Sequence, residues 1–134
     1  MLVQPIINQQ KFTGKLLCDH HSFFTDEQNQ IIKTIKPELK QLVDTMEYGD
    51  FHIEKSWIAP RSDKSAKHVI FVTDFKNNGY TGIQRPQNNS AEEWLTLARD
   101  MIEQHKQSNT YQRLTNSPAG KIKRFLKNNL KLLK

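Results

Sequence analysis

Residues 68–75, His-Val-Ile-Phe-Val-Thr-Asp-Phe, restrict the possible folds of this chain more than any other segment. The run is dense in β-branched and aromatic side chains, which fit a pleated strand better than a helix. Asn77-Asn78-Gly79 follows it, a turn sequence that tolerates positive φ and so matches the twist of a hairpin. The chain must then return as an antiparallel strand over Tyr80-Thr81-Gly82-Ile83-Gln84, which Pro86 stops. Upstream, residues 51–58 alternate Phe51, Ile53, Lys55 and Trp57 with His52, Glu54, Ser56 and Ile58. A polar, basic loop from Ala59 to Lys67 joins these two runs. The pattern predicts an antiparallel sheet of about three strands.

Helical spacing surrounds this sheet. Thr25-Asp26-Glu27-Gln28 is a capping-box pattern, in which side chains at both ends of the first turn satisfy each other's backbone N–H groups. Ile31, Ile32, Ile35, Leu39, Leu42, Val43 and Met46 then recur at helical spacing up to Gly49. Pro37 interrupts the stripe, so either one helix kinks there or a second begins with Pro37 in its first turn. Ser90 with Glu93 opens another helix, whose apolar face is Trp94, Leu95, Leu97, Ala98, Met101 and Ile102, ending near Gln107. Residues 107–117 read as a polar linker, and Ser117-Pro118 starts a last helix. Near the start, residues 2–7 and 12–18 are candidate short strands, the first broken by Pro5. The fold class is α+β: an α+β domain over 1–107, a linker over 108–117, and a C-terminal helix over 118–134.

Charge is distributed unevenly. From Gln104 to Lys134 there is no Asp or Glu, and eight of the chain's 20 Lys and Arg residues lie there. The other 103 residues carry 12 basic against 14 acidic side chains, so the net +6 comes from one end. Within it, Ile122, Phe125, Leu126, Leu130 and Leu133 fall on one helix face, and Lys121, Lys123, Arg124, Lys127, Lys131 and Lys134 lie mainly around the other. Such a helix suits a phosphate backbone, with its apolar stripe packed on the domain and its cations outward. It also suits an anionic membrane surface, which would take the stripe itself. The plainest alternative is that the stripe packs on the domain and the lysines are solvated.

A second basic group borders the sheet: Arg61, Lys64, Lys67, Lys76 and Arg85, with Tyr80, Trp57 and Phe75 close by in sequence. Cations that track phosphates beside aromatics that stack on bases suit single-strand binding, although Trp57 and Phe75 also fit core positions. The leading expectation is therefore a nucleic-acid-binding protein without a cofactor. Its contacts would be Arg61, Lys64, Lys67, Lys76, Tyr80, Arg85, Lys121, Lys123, Arg124, Lys127 and Lys131.

Asp50 opens one strand and Asp74-Phe75-Lys76 closes the next, with Glu38 or Glu47 in the helix before and Gln84 after. This order resembles the PD-(D/E)-x-K nucleases, with Gly49 in place of the proline. The resemblance implies Mg²⁺ held by Asp50 and Asp74, with Lys76 polarising the nucleophile or the scissile phosphate. A third reading is a small inhibitor from a phage or mobile element, binding a host protein or a membrane.

Cys18-Asp19-His20-His21 has ligand-type residues but no second cysteine pair to complete a structural zinc site, so it reads as a polar turn. Cys18 and His20 would share a strand face, a poor geometry for a nucleophile and its base. Cys18 is the only cysteine. With no long apolar run, this leads to an expectation of a cytoplasmic protein.

Overall fold

The computed structural model describes residues 14–56, 68–76 and 79–132, with side chains to Asn129. Trp57, the loop residues Arg61, Lys64 and Lys67, the Asn77-Asn78 turn and the candidate strand at 2–7 lie outside the described residues.

The fold is α+β. Among the described residues the sheet has four strands rather than three, in the order β1-β2-β3-β4. They are β1 (Leu16–Cys18), β2 (Asp50–Lys55), β3 (Val69–Asp74) and β4 (Tyr80–Gln84). β2, β3 and β4 form the expected antiparallel meander, Asp50 standing opposite Asp74 and Lys55 opposite Val69. The turn into β4 closes with the Gly79 carbonyl accepting from the Phe75 N–H at 3.0 Å, and Gly79 has φ +95°. β1 pairs with β2 in parallel, Leu17 opposite His52. A parallel neighbour needs a crossover, and helix α1 (Asp26–Val43) lies between the two strands in sequence.

α1 runs through Pro37 as one helix. Pro37 sits on the exposed side, where the carbonyl it leaves unpaired can reach water. The buried stripe of Ile31, Ile32, Ile35, Leu39 and Val43 continues past it. Thr25 Oγ1 accepts from the Gln28 N–H while Gln28 Oε1 accepts from the Thr25 N–H, at 3.1 and 3.0 Å, completing the capping box. Trp94, Ala98, Met101 and Ile102 of helix α2 (Ala91–Gln107) join the same core, together with Phe51, Ile53, Val69 and Phe71 of the sheet. Phe71 packs between Phe51 and Trp94, with ring centroids 5.4 and 5.6 Å away. The core-facing residues of β2 are Phe51, Ile53 and Lys55, so Asp50, His52 and Glu54 lie on the opposite face.

The segment expected to be a linker is helical: α3 (Asn109–Asn116) is capped by Ser108 and buries Tyr111 and Thr115. Ser117 then begins α4 (Pro118–Leu132), its Oγ accepting from the Gly120 N–H at 3.0 Å. Gly120 lets α4 approach α3, since a Cβ there would clash with the Leu114 carbonyl. No helix among the described residues is long and apolar enough to cross a membrane.

Candidate metal centre

Two strand ends and one glycine build the site. Gly49, with φ +91°, turns the chain from the Met46–Tyr48 loop into β2. Asp50 is the first residue of β2 and Asp74 the last of β3, so antiparallel pairing sets them side by side. His52, two residues along β2, shares their face. One ligand atom from each of Asp50, His52 and Asp74 lies within 4.8 Å of the other two.

The carboxylates are held from behind. Asp50 Oδ1 accepts from the Lys15 N–H at 3.0 Å, and Asp74 Oδ1 accepts from the Lys76 N–H at 3.0 Å. Each aspartate therefore has one oxygen fixed by backbone and one available to a further group. Asp74 Oδ2 lies 2.9 Å from His52 Nε2. The two are not aligned as a hydrogen bond, and Nε2 is shielded from solvent without a hydrogen-bond partner among the described residues. A cation bound at ~2.0–2.2 Å to three such atoms would hold them roughly 3–4.3 Å apart, a range close to the separations already present in the triad. Two carboxylate oxygens and one imidazole nitrogen suit Mn²⁺ or Zn²⁺ better than Mg²⁺, which prefers oxygen alone.

His105 lies beneath this end of the sheet, fully buried. Nε2 is 2.8 Å from the Tyr48 carbonyl and Nδ1 is 2.8 Å from Thr81 Oγ1. A carbonyl can only accept, so Nε2 carries the proton and Nδ1 accepts from the Thr81 hydroxyl. The ring stacks on Phe75 with centroids 4.4 Å apart. Burial pushes its pKa below the ordinary 6.5, against the raising effects of the Tyr48 carbonyl, Asp74 and Asp50. The unfolded chain then binds this proton more readily than the folded one. The contribution of His105 to stability is complete above about pH 6.5 and declines as the pH falls from there toward the folded pKa. Urea midpoints measured between pH 7.5 and 5.5 should decrease, and His105→Gln should flatten that slope while lowering stability throughout. An unchanged slope in the variant would refute the assignment.

Of the residues expected to contact nucleic acid, Lys76 and Tyr80 come to this site. Tyr80 pairs with Asp74 in the sheet and is 70% exposed. Arg85 does not: it follows the far end of β4, beside a cleft lined by Glu92, Glu93 and Asp100. Gln84 and Glu38 are also elsewhere, the latter 3.9 Å from Arg99.

α4 sits differently from the expectation that its stripe packs on the domain. It docks by its basic edge. Lys123 Nζ donates to the Glu47 carbonyl and lies 3.9 Å above the Tyr48 ring. Arg124 pairs with Glu47 at 3.2 Å. Burial lowers the Lys123 pKa despite the nearby Glu47 carboxylate. Lys121 is exposed and Lys127 half-buried. Ile122, Phe125 and Leu126 face solvent. Two of the expected phosphate contacts are thus engaged within the chain, and Lys131 has no described side chain.

Cys18 ends β1 and His21 opens a short 3-10 helix over His21–Phe23, so the expected polar turn is confined to Asp19 and His20. His20 Nδ1 accepts from the Ser22 N–H at 3.2 Å, and Asp19 Oδ2 accepts from the Lys55 N–H at 2.9 Å. Sequence reasoning missed His52, whose signal was its two-residue spacing from Asp50 on one strand.

Comparison with protein-family models, with curated proteins and with solved structures finds no match to the chain.

Proposed function

We propose that this chain binds nucleic-acid phosphates at the hairpin end of its sheet, through a divalent cation held by Asp50, His52 and Asp74. The convergence of those three ligand atoms within 4.8 Å carries the reading. Two neighbouring carboxylates alone repel a phosphate, and a cation between them reverses the sign of the local field. Lys76 and the exposed Tyr80 flank the triad in sequence and in the hairpin. An aromatic in that position supports stacking of an unpaired base, worth ~1–3 kcal/mol. The lone Cys18 suits a reducing cytoplasm, where we place this activity.

Asp50 standing directly opposite Asp74, with Lys76 two residues beyond, favours hydrolysis as a second reading. A divalent cation so held supplies the Lewis acidity that phosphodiester cleavage needs. Labelled single- and double-stranded oligonucleotides titrated with the full chain test both. Binding should be micromolar, salt-sensitive, and at least about tenfold tighter with Mn²⁺ than with EDTA. Tyr80→Ala should weaken single-strand binding by roughly 5- to 150-fold, the equivalent of one lost stack. Cleavage products that require Mn²⁺ would establish the second reading, and their absence would leave binding alone. No binding at low salt with Mn²⁺ present would overturn the proposal.

A further inference from the structure

β4 closes one edge of the sheet, and among the described residues no strand pairs with its outer side. Tyr80, Ile83 and Gln84 are exposed. Alternation in the ladders shows which backbone groups point outward. The Ser56 N–H donates to the His68 carbonyl at 2.8 Å, continuing the β2–β3 ladder, in which every second pair is hydrogen-bonded. Counting back by twos makes His52 and Val72 such a pair, so Val72 bonds to β2 and not to β4. Ile83 stands opposite Val72. Its N–H and C=O therefore point away from the sheet. Natural edges are commonly blunted by lysine or proline. β4 has neither, and its bulge, at Thr81, lies toward the hairpin end and leaves Gly82 to Gln84 regular.

A cleft of about 610 Å³ adjoins this edge, between the end of β4 and helix α2. Gln84 lines it, and Gln84 stands opposite the core residue Phe71, so the cleft is on the α2 side of the sheet. Glu92, Glu93 and Asp100 face a single cation there, Arg85. Glu93 is already held by the N–H groups of Gln87 and Asn88, at 2.8 and 2.7 Å. Glu92 and Asp100 are exposed and make no ion pair among the described residues.

We infer that an extended, basic segment of a partner protein adds to β4 as a fifth strand and places its cations in this cleft. The pairing fixes the sequence pattern. The partner residue opposite Ile83 exchanges both backbone hydrogen bonds with it and shares its outer face. That residue is apolar, beside an Ile83 side chain that is 54% exposed. Its two neighbours fall opposite Gly82 and Gln84, on the side of the carboxylates. The recognised sequence is therefore basic–apolar–basic. Charge selects this occupant. Three carboxylates around one guanidinium repel a nucleic acid. A second copy, pairing Ile83 with Ile83, would set two such clefts on one face of the joined sheet, and each chain also carries a net +6.

The probe is a hexapeptide, Thr-Lys-Val-Lys-Val-Thr, acetylated and amidated, titrated into the isotopically labelled full chain and followed by amide NMR. The expected dissociation constant is on the order of 100 μM, with the largest shift at the Ile83 amide. Methylating the nitrogen of the valine between the lysines should weaken binding at least about tenfold, since it removes a donor and leaves the Ile83 carbonyl unpaired. Replacing both lysines by glutamate should abolish it. In the chain, Glu92→Gln with Asp100→Asn should weaken the lysine peptide roughly 2- to 30-fold, the equivalent of two exposed ion pairs, with an unchanged melting temperature. No binding of the lysine peptide, shifts centred away from β4, or equal affinity for the methylated or the glutamate peptide would overturn the inference. So would a chain that dimerises without peptide and broadens at Ile83, because the edge would then belong to a second copy. None of these changes touches Asp50, His52 or Asp74, so nucleic-acid binding and strand addition can fail independently.

Discussion

Gly49→Ala is expected to destabilise the chain by about 3–5 kcal/mol, a large fraction of the ~5–15 kcal/mol that holds a typical domain folded. Two effects combine. Gly49 has φ +91°, where a Cβ crowds the following carbonyl and costs of order 1–3 kcal/mol. The new Cβ would also stand 2.5 Å from the Asp74 carbonyl and closer still to His105 Nε2, so buried backbone and a buried ring must move. Overpacking of that kind typically adds 1–3 kcal/mol. Gly79→Ala separates the two contributions. Its φ is +95°, but nothing lies within 4 Å of the added atom, so only the backbone cost of about 1–2 kcal/mol applies. Urea denaturation of both variants gives the comparison. Equal losses would show that the space beneath Gly49 is not as tight as its contacts indicate.

The second large effect concerns charge at the triad. Saturating the parent chain with Mn²⁺ at about 100 times the dissociation constant should stabilise it by ~2.7 kcal/mol, because the ion binds only the folded arrangement. In Asp74→Asn that gain should vanish. The amide keeps the shape of the side chain and can still accept from the Lys76 N–H, but it is a far weaker ligand and removes one of two negative charges. Without metal, the same variant should differ from the parent by no more than about 0.5 kcal/mol. Directly opposed like charges destabilise a strand pair, and their relief offsets the lost contact with His52. Thermal melts with Mn²⁺ and with EDTA measure both halves. A variant that is still stabilised by Mn²⁺ would place the ion elsewhere.

Much of the scaffold could be read from spacing. The meander followed from β-rich runs and a glycine turn, and from that pairing Asp50 and Asp74 could be set together. His52 was within reach of the same logic, because residues two apart on a strand share a face. β1 falls within the candidate strand at 12–18, but its parallel pairing was not legible, because three residues carry no pattern that names a partner 35 positions away. α3 was misread as a linker because the groups it buries, Tyr111 and Thr115, are held by hydrogen bonding and ring contacts rather than by an apolar stripe. The orientation of α4 was not legible at all. Amphipathicity says which face is apolar, not which face meets the body, and here a carbonyl and a tyrosine ring received the ammonium group of a lysine. Arg85 illustrates the same limit, since its acidic neighbours come from a helix that follows it in sequence and returns in space.

Titration of metal-free protein into Mn²⁺, followed by the loss of the free-ion electron paramagnetic resonance signal, tests the triad most directly and needs neither nucleic acid nor activity. One Mn²⁺ should bind per chain, more tightly than Mg²⁺ can compete for. Affinity should fall at least about a hundredfold in Asp74→Asn and in Asp50→Asn, the upper end of what losing even an outer-shell partner costs. His52→Gln should also weaken Mn²⁺ and narrow its advantage over Mg²⁺. Undiminished Mn²⁺ binding in all three variants, or no binding by the parent chain, would contradict a cation site at Asp50, His52 and Asp74.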